Sequence, residues 1–347
     1  MRVLSQPPGL KLAELGGCYY VRSGAGRGKS VSIFLIDTGV DIQHEAFRKA
    51  KPEEEFYYFA GPDAADMNGP TDSAEYKNHG THLLSRIIGY RVGLAPEAEV
   101  YIVHFVNRYG YYTTAHLFSA MIKAYDNIIE HEVQNAIIVC AWLYDQTQPD
   151  NPDSLFQTVY DPPESKHRTN DLVSWLSTQM MTEIFNLRRT LAHPPIVVTT
   201  PGTDKIIGSK TEYLSPAKEV AAFSDIIIIA GGTDTKDQKM FDDSLRTQKI
   251  RAWAPGENVH GAGYDADGDA SMELLTGASY AVAHVAGMIA LYVSEKRSDD
   301  VKSARDDLYS QAHQRAPGGP KIIWNGILKS EWPTYIPTPP GSPKVPP

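Results

Sequence analysis

Cysteine is nearly missing from this 347-residue chain, which holds only Cys18 and Cys140. Two thiols cannot form the framework of a disulfide-stapled fold, and Cys140 lies in the apolar run Ala136–Leu143, the pattern of a buried strand. That usage fits a reducing compartment, so a cytoplasmic location is expected, with a secreted mature chain as the alternative. A long hydrophobic run is also missing: nothing approaches the roughly 20 apolar residues of a membrane-spanning helix. Residues 1–16 carry prolines and charges where a secretory leader has its apolar stretch. Positive charge is in deficit, with 33 Lys and Arg against 42 Asp and Glu and a net charge of −9. That balance disfavours nucleic acid or an anionic membrane as the main partner and is indifferent to a peptide. No internal repeat is visible. What remains is an ordinary globular balance, 42% hydrophobic and 22% charged, in a chain long enough to bury roughly three quarters of its unfolded surface.

Short, nearly continuous apolar runs recur along the chain. Val31–Ile36, Val100–Phe105, Ala136–Cys140, Ile196–Val198 and Ile226–Ala230 read as strands covered on both faces. Between them lie helix-like stretches at Thr81–Ile88, His116–His131 and Asp171–Leu191. Alternation of this kind predicts βαβ units and a mostly parallel sheet in an α/β fold. Residues 1–30 read as a flexible approach ending in Gly24-Ala25-Gly26-Arg27-Gly28, residues 31–328 as the folded domain, and 329–347 as a proline-rich tail leading to a further domain. Residues 145–170, rich in Asp, Pro, Gln and Ser, read as a surface excursion.

The segment Thr276–Met288, T-G-A-S-Y-A-V-A-H-V-A-G-M, carries the most chemical information. Ser279 sits between small residues immediately before the apolar run Tyr280–Val293. A serine there occupies the first turn of a buried helix, where unpaired N–H groups and the helix dipole favour negative charge. Acyl transfer needs that setting for a nucleophilic oxygen and for the oxyanion it creates. The bland alternative is a small-residue turn opening a core helix. Two other segments weigh against it. Asp37 ends the first buried strand, at the sheet edge where ligands bind in open parallel sheets. His79, in Asn78-His79-Gly80-Thr81-His82, is placed just before a helix. Singly, such an Asp is often a cap and such a His structural. Together they supply acid, base and nucleophile in the order Asp, His, Ser, one of the orders found in serine hydrolases.

These blocks resemble the subtilisin-like serine proteases, or subtilases. The family reads G-T-S-M-A-x-P-H-V-A-G around its serine, and this chain reads G-A-S-Y-A-V-A-H-V-A-G. Gly93-Leu94-Ala95-Pro96 and Ala254-Pro255-Gly256 support the resemblance. It implies a three-layer α/β/α fold with a mostly parallel central sheet. It also implies a serine endopeptidase acting on a peptide or protein through an acyl-enzyme. Ser279 would be the nucleophile, His79 the base and Asp37 the group that orients the imidazole. No cofactor is required by this chemistry. The family often binds calcium, but the resemblance places no ligands for a structural calcium ion, and no metal site is assigned. His82 reads as a structural histidine.

Several positions depart from the family pattern. The oxyanion-hole asparagine is expected in the block Thr200-Pro201-Gly202-Thr203-Asp204, where Thr203 takes its place. Loss of such a donor costs about 10²–10³ in rate, so reduced activity is expected. The substrate-lining strand, S-L-G in the family, here reads Ala141-Trp142-Leu143, which brings side chains into space left to substrate. Gly202 is the remaining substrate-binding candidate. Ala278, Tyr280 and Ala283 stand where the family has threonine, methionine and proline. These changes keep open a catalytically impaired peptide-binding module and a peptide ligase or cyclase on the same fold.

Two motifs are decoys. Ser23–Ser30 nearly fits a phosphate-binding loop, but its first glycine is missing and it runs into a strand, not a helix. Asp265-Ala266-Asp267-Gly268-Asp269 resembles the start of a calcium loop, but its glycine is out of place, and a solvated acidic loop is the simpler reading.

Overall fold

In the computed structural model, the described residues are 3–15, 26–47, 74–90, 92–105, 114–142, 144–145, 179–187, 189–201, 214–240, 249–263 and 271–332. The apolar runs form the strands expected of them. β1 (Ser32–Asp37), β2 (Glu99–His104), β3 (Ala136–Cys140), β5 (Ile196–Thr199) and β7 (Ile227–Thr233) are almost wholly buried. β4 (Tyr144–Asp145) pairs with β6 (Leu214–Ser215). β8 (Ala252–Pro255), the hairpin of β9 (Val259–Ala262) and β10 (Met272–Leu275), and the short β11 (His313–Gln314) and β12 (Lys321–Ile322) complete the strands described. The main sheet has the order β11-β12-β8-β7-β5-β3-β1-β2, parallel except for the β11–β12 pair. β1 has β2 on one side and β3 on the other, so the chain changes direction of winding there. A crevice opens at such a point beyond the carboxyl ends of the strands, and Asp37 stands at that end of β1.

Helices cover both faces. Period-two alternation sends Ile33, Leu35, Ile137, Val139, Ile196 and Val198 into one core, shared with α1 (Ala74–Ile88) and α3 (Ala278–Ser294). Phe34, Ile36, Ile138, Cys140 and Val197 enter the other, shared with α2 (Thr114–Glu130) and a helical segment over 179–187. This is the three-layer α/β/α arrangement. The same alternation puts Asp37, two residues after Leu35, on the α1–α3 face. α3 is apolar apart from His284 between Tyr280 and Val293, and every residue of that stretch is buried, as expected of a helix that crosses the middle of a layer. α4 (Val301–Gln311) packs beside it, with Asp300 capping its first turn through the Ser303 N–H at 2.7 Å. No helix among the described residues is long and apolar enough to cross a membrane.

Two expectations need correction. His79 is not ahead of its helix: α1 begins at Ala74, so His79 lies in its second turn. The amino-terminal segment is also not a loose approach over its described length. Leu4 and Leu15 are fully buried, the Leu4 carbonyl accepts the Asn325 N–H at 2.8 Å, and the Gly28 N–H donates to Ser294 Oγ at 2.8 Å. The turn over 26–30 therefore rests on the end of α3 and leads into β1 instead of opening a helix.

Two glycines let the layers close. Gly287 of α3 faces Leu94, where an added Cβ would stand 2.9 Å from the leucine Cβ. Leu94 and Ala95 in turn donate their N–H groups to Arg86 and Ile87 at the carboxyl end of α1. At Gly80, a Cβ would fall inside the van der Waals shell of the Gly39 carbonyl oxygen. Backbone cannot yield as a side-chain tip does, so α1 approaches β1 only because residue 80 has no side chain. Gly80→Ala is expected to lower stability by about 1–3 kcal/mol through this overpacking. Denaturant unfolding checks it, and an unchanged midpoint would show that the approach is not this tight.

Candidate active site

The carboxylate is the most deeply buried of the three groups. Asp37 is 1% exposed, and a buried carboxylate needs partners. Its Oδ1 accepts the Thr38 N–H at 2.8 Å and the Thr38 hydroxyl at 3.1 Å. His79 Nδ1 lies 3.0 Å from Oδ2 and 3.1 Å from Oδ1. Pairing through Nδ1 fixes the ring so that Nε2 points away from the carboxylate. The His79 side chain is 37% exposed against 1% for Asp37, so the pair runs from the interior to the surface. Burial by itself lowers the pKa of His79, but the Asp37 charge and hydrogen bond outweigh it, and the net direction is upward. The loop after β1 is held to α1 a second time, where the Asp41 N–H donates to Thr81 Oγ1 at 2.7 Å.

Ser279 lies in the first turn of α3, with Gly277 as the residue ahead of the helix. The Ser279 hydroxyl donates to the Ala141 carbonyl at 3.1 Å. Ala141 directly follows β3, whose Cys140 is in register with Ile36 of β1. The serine thus sits across one strand spacing from the end of β1 that bears Asp37. Its neighbour Tyr280 brings its ring 6.2 Å from that of His79 and 4.5 Å from that of His82. Burial, then the charges of Asp37 and Glu273, push the Tyr280 phenol upward, so it stays protonated.

Side chains around the pair are chemically quiet. His82 is fully buried against Gly261, and burial followed by the Arg86 charge takes it down to about 3. It is a neutral packing group, consistent with the structural reading. Cys140 is a buried free thiol, pushed well above its ordinary value by burial and then by Asp37, hence unreactive. Among the described residues, no group of three His, Cys, Asp or Glu side chains is arranged to hold a metal ion. The acidic segment Asp265–Asp269 lies outside the described residues.

The candidate substrate residues divide. Ala141 is buried and its carbonyl is occupied by Ser279. Trp142 does not simply project into open space: its indole N–H donates to the Ile36 carbonyl at 2.9 Å, and its ring lies 5.6 Å from that of Phe105. A polar tip and a large apolar ring both find partners at the end of β1. Leu143, Gly202 and Thr203 lie outside the described residues.

Sequence reasoning passed over one pair of residues. Arg86 of α1 and His284 of α3 are 2% and 1% exposed and meet at 3.1–3.2 Å. The signal was available, because Arg86 falls seven residues after His79 and therefore on the same helix face, in a stretch that is otherwise core.

Comparisons with known proteins bear on the family and the fold. A family model described as the subtilase family matches residues 28–322. The major intracellular serine protease of Bacillus subtilis (strain 168) is 24% identical over 300 residues, covering 83% of this chain and 76% of that protein. Subtilisin-like protease 6 of Trichophyton soudanense is 38% identical over 95 residues, 27% of this chain and 18% of its own. A subtilisin-like protease of Coccidioides posadasii (strain C735) is 24% identical over 303 residues, 86% of this chain and 62% of its own. The chain thus spans less than two thirds of the length of these two fungal relatives. A solved structure, that of a cold adapted subtilisin-like serine proteinase, superposes with a TM-score of 0.58 at 19% identity, covering 93% of this chain and 95% of that one. That superposition shows the shared fold. Because the family model runs from the glycine turn ahead of β1 to the end of β12, taking in all three segments that carry Asp37, His79 and Ser279, the chain belongs to the subtilase family of serine peptidases.

Proposed function

We propose that this chain is a serine endopeptidase in which Asp37, His79 and Ser279 form the catalytic triad. The observation that carries the reading is the Asp37–His79 pair, 3.0 Å apart and reaching from the interior to the surface, beside a serine in the first turn of a buried helix. A serine hydroxyl is a poor nucleophile near neutral pH without an adjacent base. In this reading Ser279 leaves the Ala141 carbonyl by rotation about its Cα–Cβ bond, a move between staggered rotamers, and turns to His79 Nε2. The oxygen attacks the scissile carbonyl carbon, and its proton passes to Nε2. Asp37 stabilises the resulting imidazolium through Nδ1. Negative charge collects on the former carbonyl oxygen, where the N–H groups at the start of α3 face it. His79 then protonates the leaving amine, and water cleaves the ester on Ser279 by the reverse path.

The second oxyanion donor is Thr203 in this reading, whose hydroxyl reaches less far than an asparagine amide. The partner is a peptide or protein, and the chemistry needs no cofactor. We place the chain in the cytoplasm, supported by its scarce cysteine and by the relative named as intracellular.

Labelling with a fluorophosphonate probe tests the reading directly. The wild-type chain is expected to react covalently and Ser279→Ala not at all. Folded wild-type protein that fails to label would favour a peptide-binding module, and joined or cyclic peptide products would favour a ligase. The pH dependence follows from His79. The base must be neutral, so peptide hydrolysis is expected to rise through an apparent pKa above the ordinary value of about 6.5. The ion pair it forms when protonated stabilises the fold at low pH and fades as pH rises through that value. Asp37→Asn is expected to cut kcat by about 10⁴ and move the acid limb to lower pH; an unmoved limb would detach Asp37 from the base. Thr203→Asn is expected to raise kcat with little change in KM, and a fall in activity would show that residue 203 does not face the oxyanion.

A further inference from the structure

The two helices that present His79 and Ser279 meet through a common apolar core. Apolar packing resists separation but is non-directional, so it does not by itself set how far one helix slides along the other. Arg86 supplies direction. Its Nε and Nη2 both point at His284 Nε2, at 3.2 and 3.1 Å, and its Nη1 donates to the His260 carbonyl at 2.6 Å. His284 Nδ1 faces the Pro255 carbonyl at 3.0 Å. One tautomer satisfies every contact, with Nδ1–H donating to Pro255 and the Nε2 lone pair accepting from the guanidinium. Burial and then the Arg86 charge hold this imidazole neutral. A single planar cation therefore ties α1 to α3 and to β9, and through His284 to the end of β8. Arg86 is two helical turns from His79, and His284 is five residues beyond Ser279.

A guanidinium is an expensive group to bury, and an apolar side chain of like size would stabilise the same contact at lower cost. What the guanidinium adds is fixed geometry. We infer that Arg86 is a positioning residue: through His284 it sets the register of α1 against α3, and so the approach of the His79 imidazole to the Ser279 hydroxyl. This rests on the serine-peptidase reading above.

The test uses the full chain and saturation kinetics of a fluorophosphonate, which separate the limiting labelling rate from the half-saturating concentration. Arg86→Met is expected to lower the limiting rate about 10- to 100-fold with the half-saturating concentration nearly unchanged, as misplacement of reacting groups by an ångström does. His284→Gln, which keeps an acceptor and a donor, retains most of the rate, whereas His284→Phe loses it. In the Arg86→Met background, His284→Phe adds little, because the shared link is already gone. Losses that multiply independently, or Arg86→Met labelling at the wild-type rate, would overturn the inference. If Arg86→Met does not fold, the His284→Gln and His284→Phe pair decides at matched melting temperatures, and equal rates would overturn it. Folded wild type that does not label would defeat the peptidase reading itself, a failure distinct from labelling without coupling.

Discussion

The buried carboxylate of Asp37 is the constraint around which the crevice is organised. An ionised group with 1% exposure must be paired, and the partners here are the Thr38 backbone and hydroxyl and the His79 ring. Satisfying it fixes the loop after β1, the tautomer of His79 and the distance of α1 from the sheet. Gly80 permits that distance, and Thr81 holds it from the other side through Asp41. A structural need and a chemical need are met by the same hydrogen bonds.

The second helix answers a different requirement. α3 is almost wholly apolar because it fills the middle of a layer, and its amino-terminal end lies beside the end of β3, where Ser279 meets the Ala141 carbonyl. Ser279 is placed there by the fold, one strand spacing from β1. Its hydroxyl donates to the Ala141 carbonyl; the proposed mechanism requires it to turn from there to the His79 ring. Arg86 and His284 then join the two helices by directional bonds where the rest of their contact is greasy.

Much of this was legible in the chain. The five central strands announced themselves as apolar runs bounded by polar residues, and Ser279 at the head of a continuous apolar stretch reads as the opening of a buried helix. Other parts were not. α1 begins at Ala74, ahead of the helix-like stretch Thr81–Ile88, because Gly80 lies inside it as a close-approach residue against Gly39, although glycine has low helix propensity. β8 to β12 are broken by residues such as Pro255, His260 and Gly261, so no continuous apolar run marks them. Leu4 and Leu15 dock as single residues, and a lone leucine has no pattern. Trp142 was read through the family alignment alone, which says nothing of an indole finding the Ile36 carbonyl.

The most direct test of the account is a crystal structure of the chain after reaction with an organophosphonate. The account predicts a bond from Ser279 Oγ to phosphorus, His79 Nε2 within hydrogen-bonding distance of the adduct, and the Asp37–His79 contact retained. An unmodified Ser279 still bonded to Ala141, or an adduct on another residue, would contradict it.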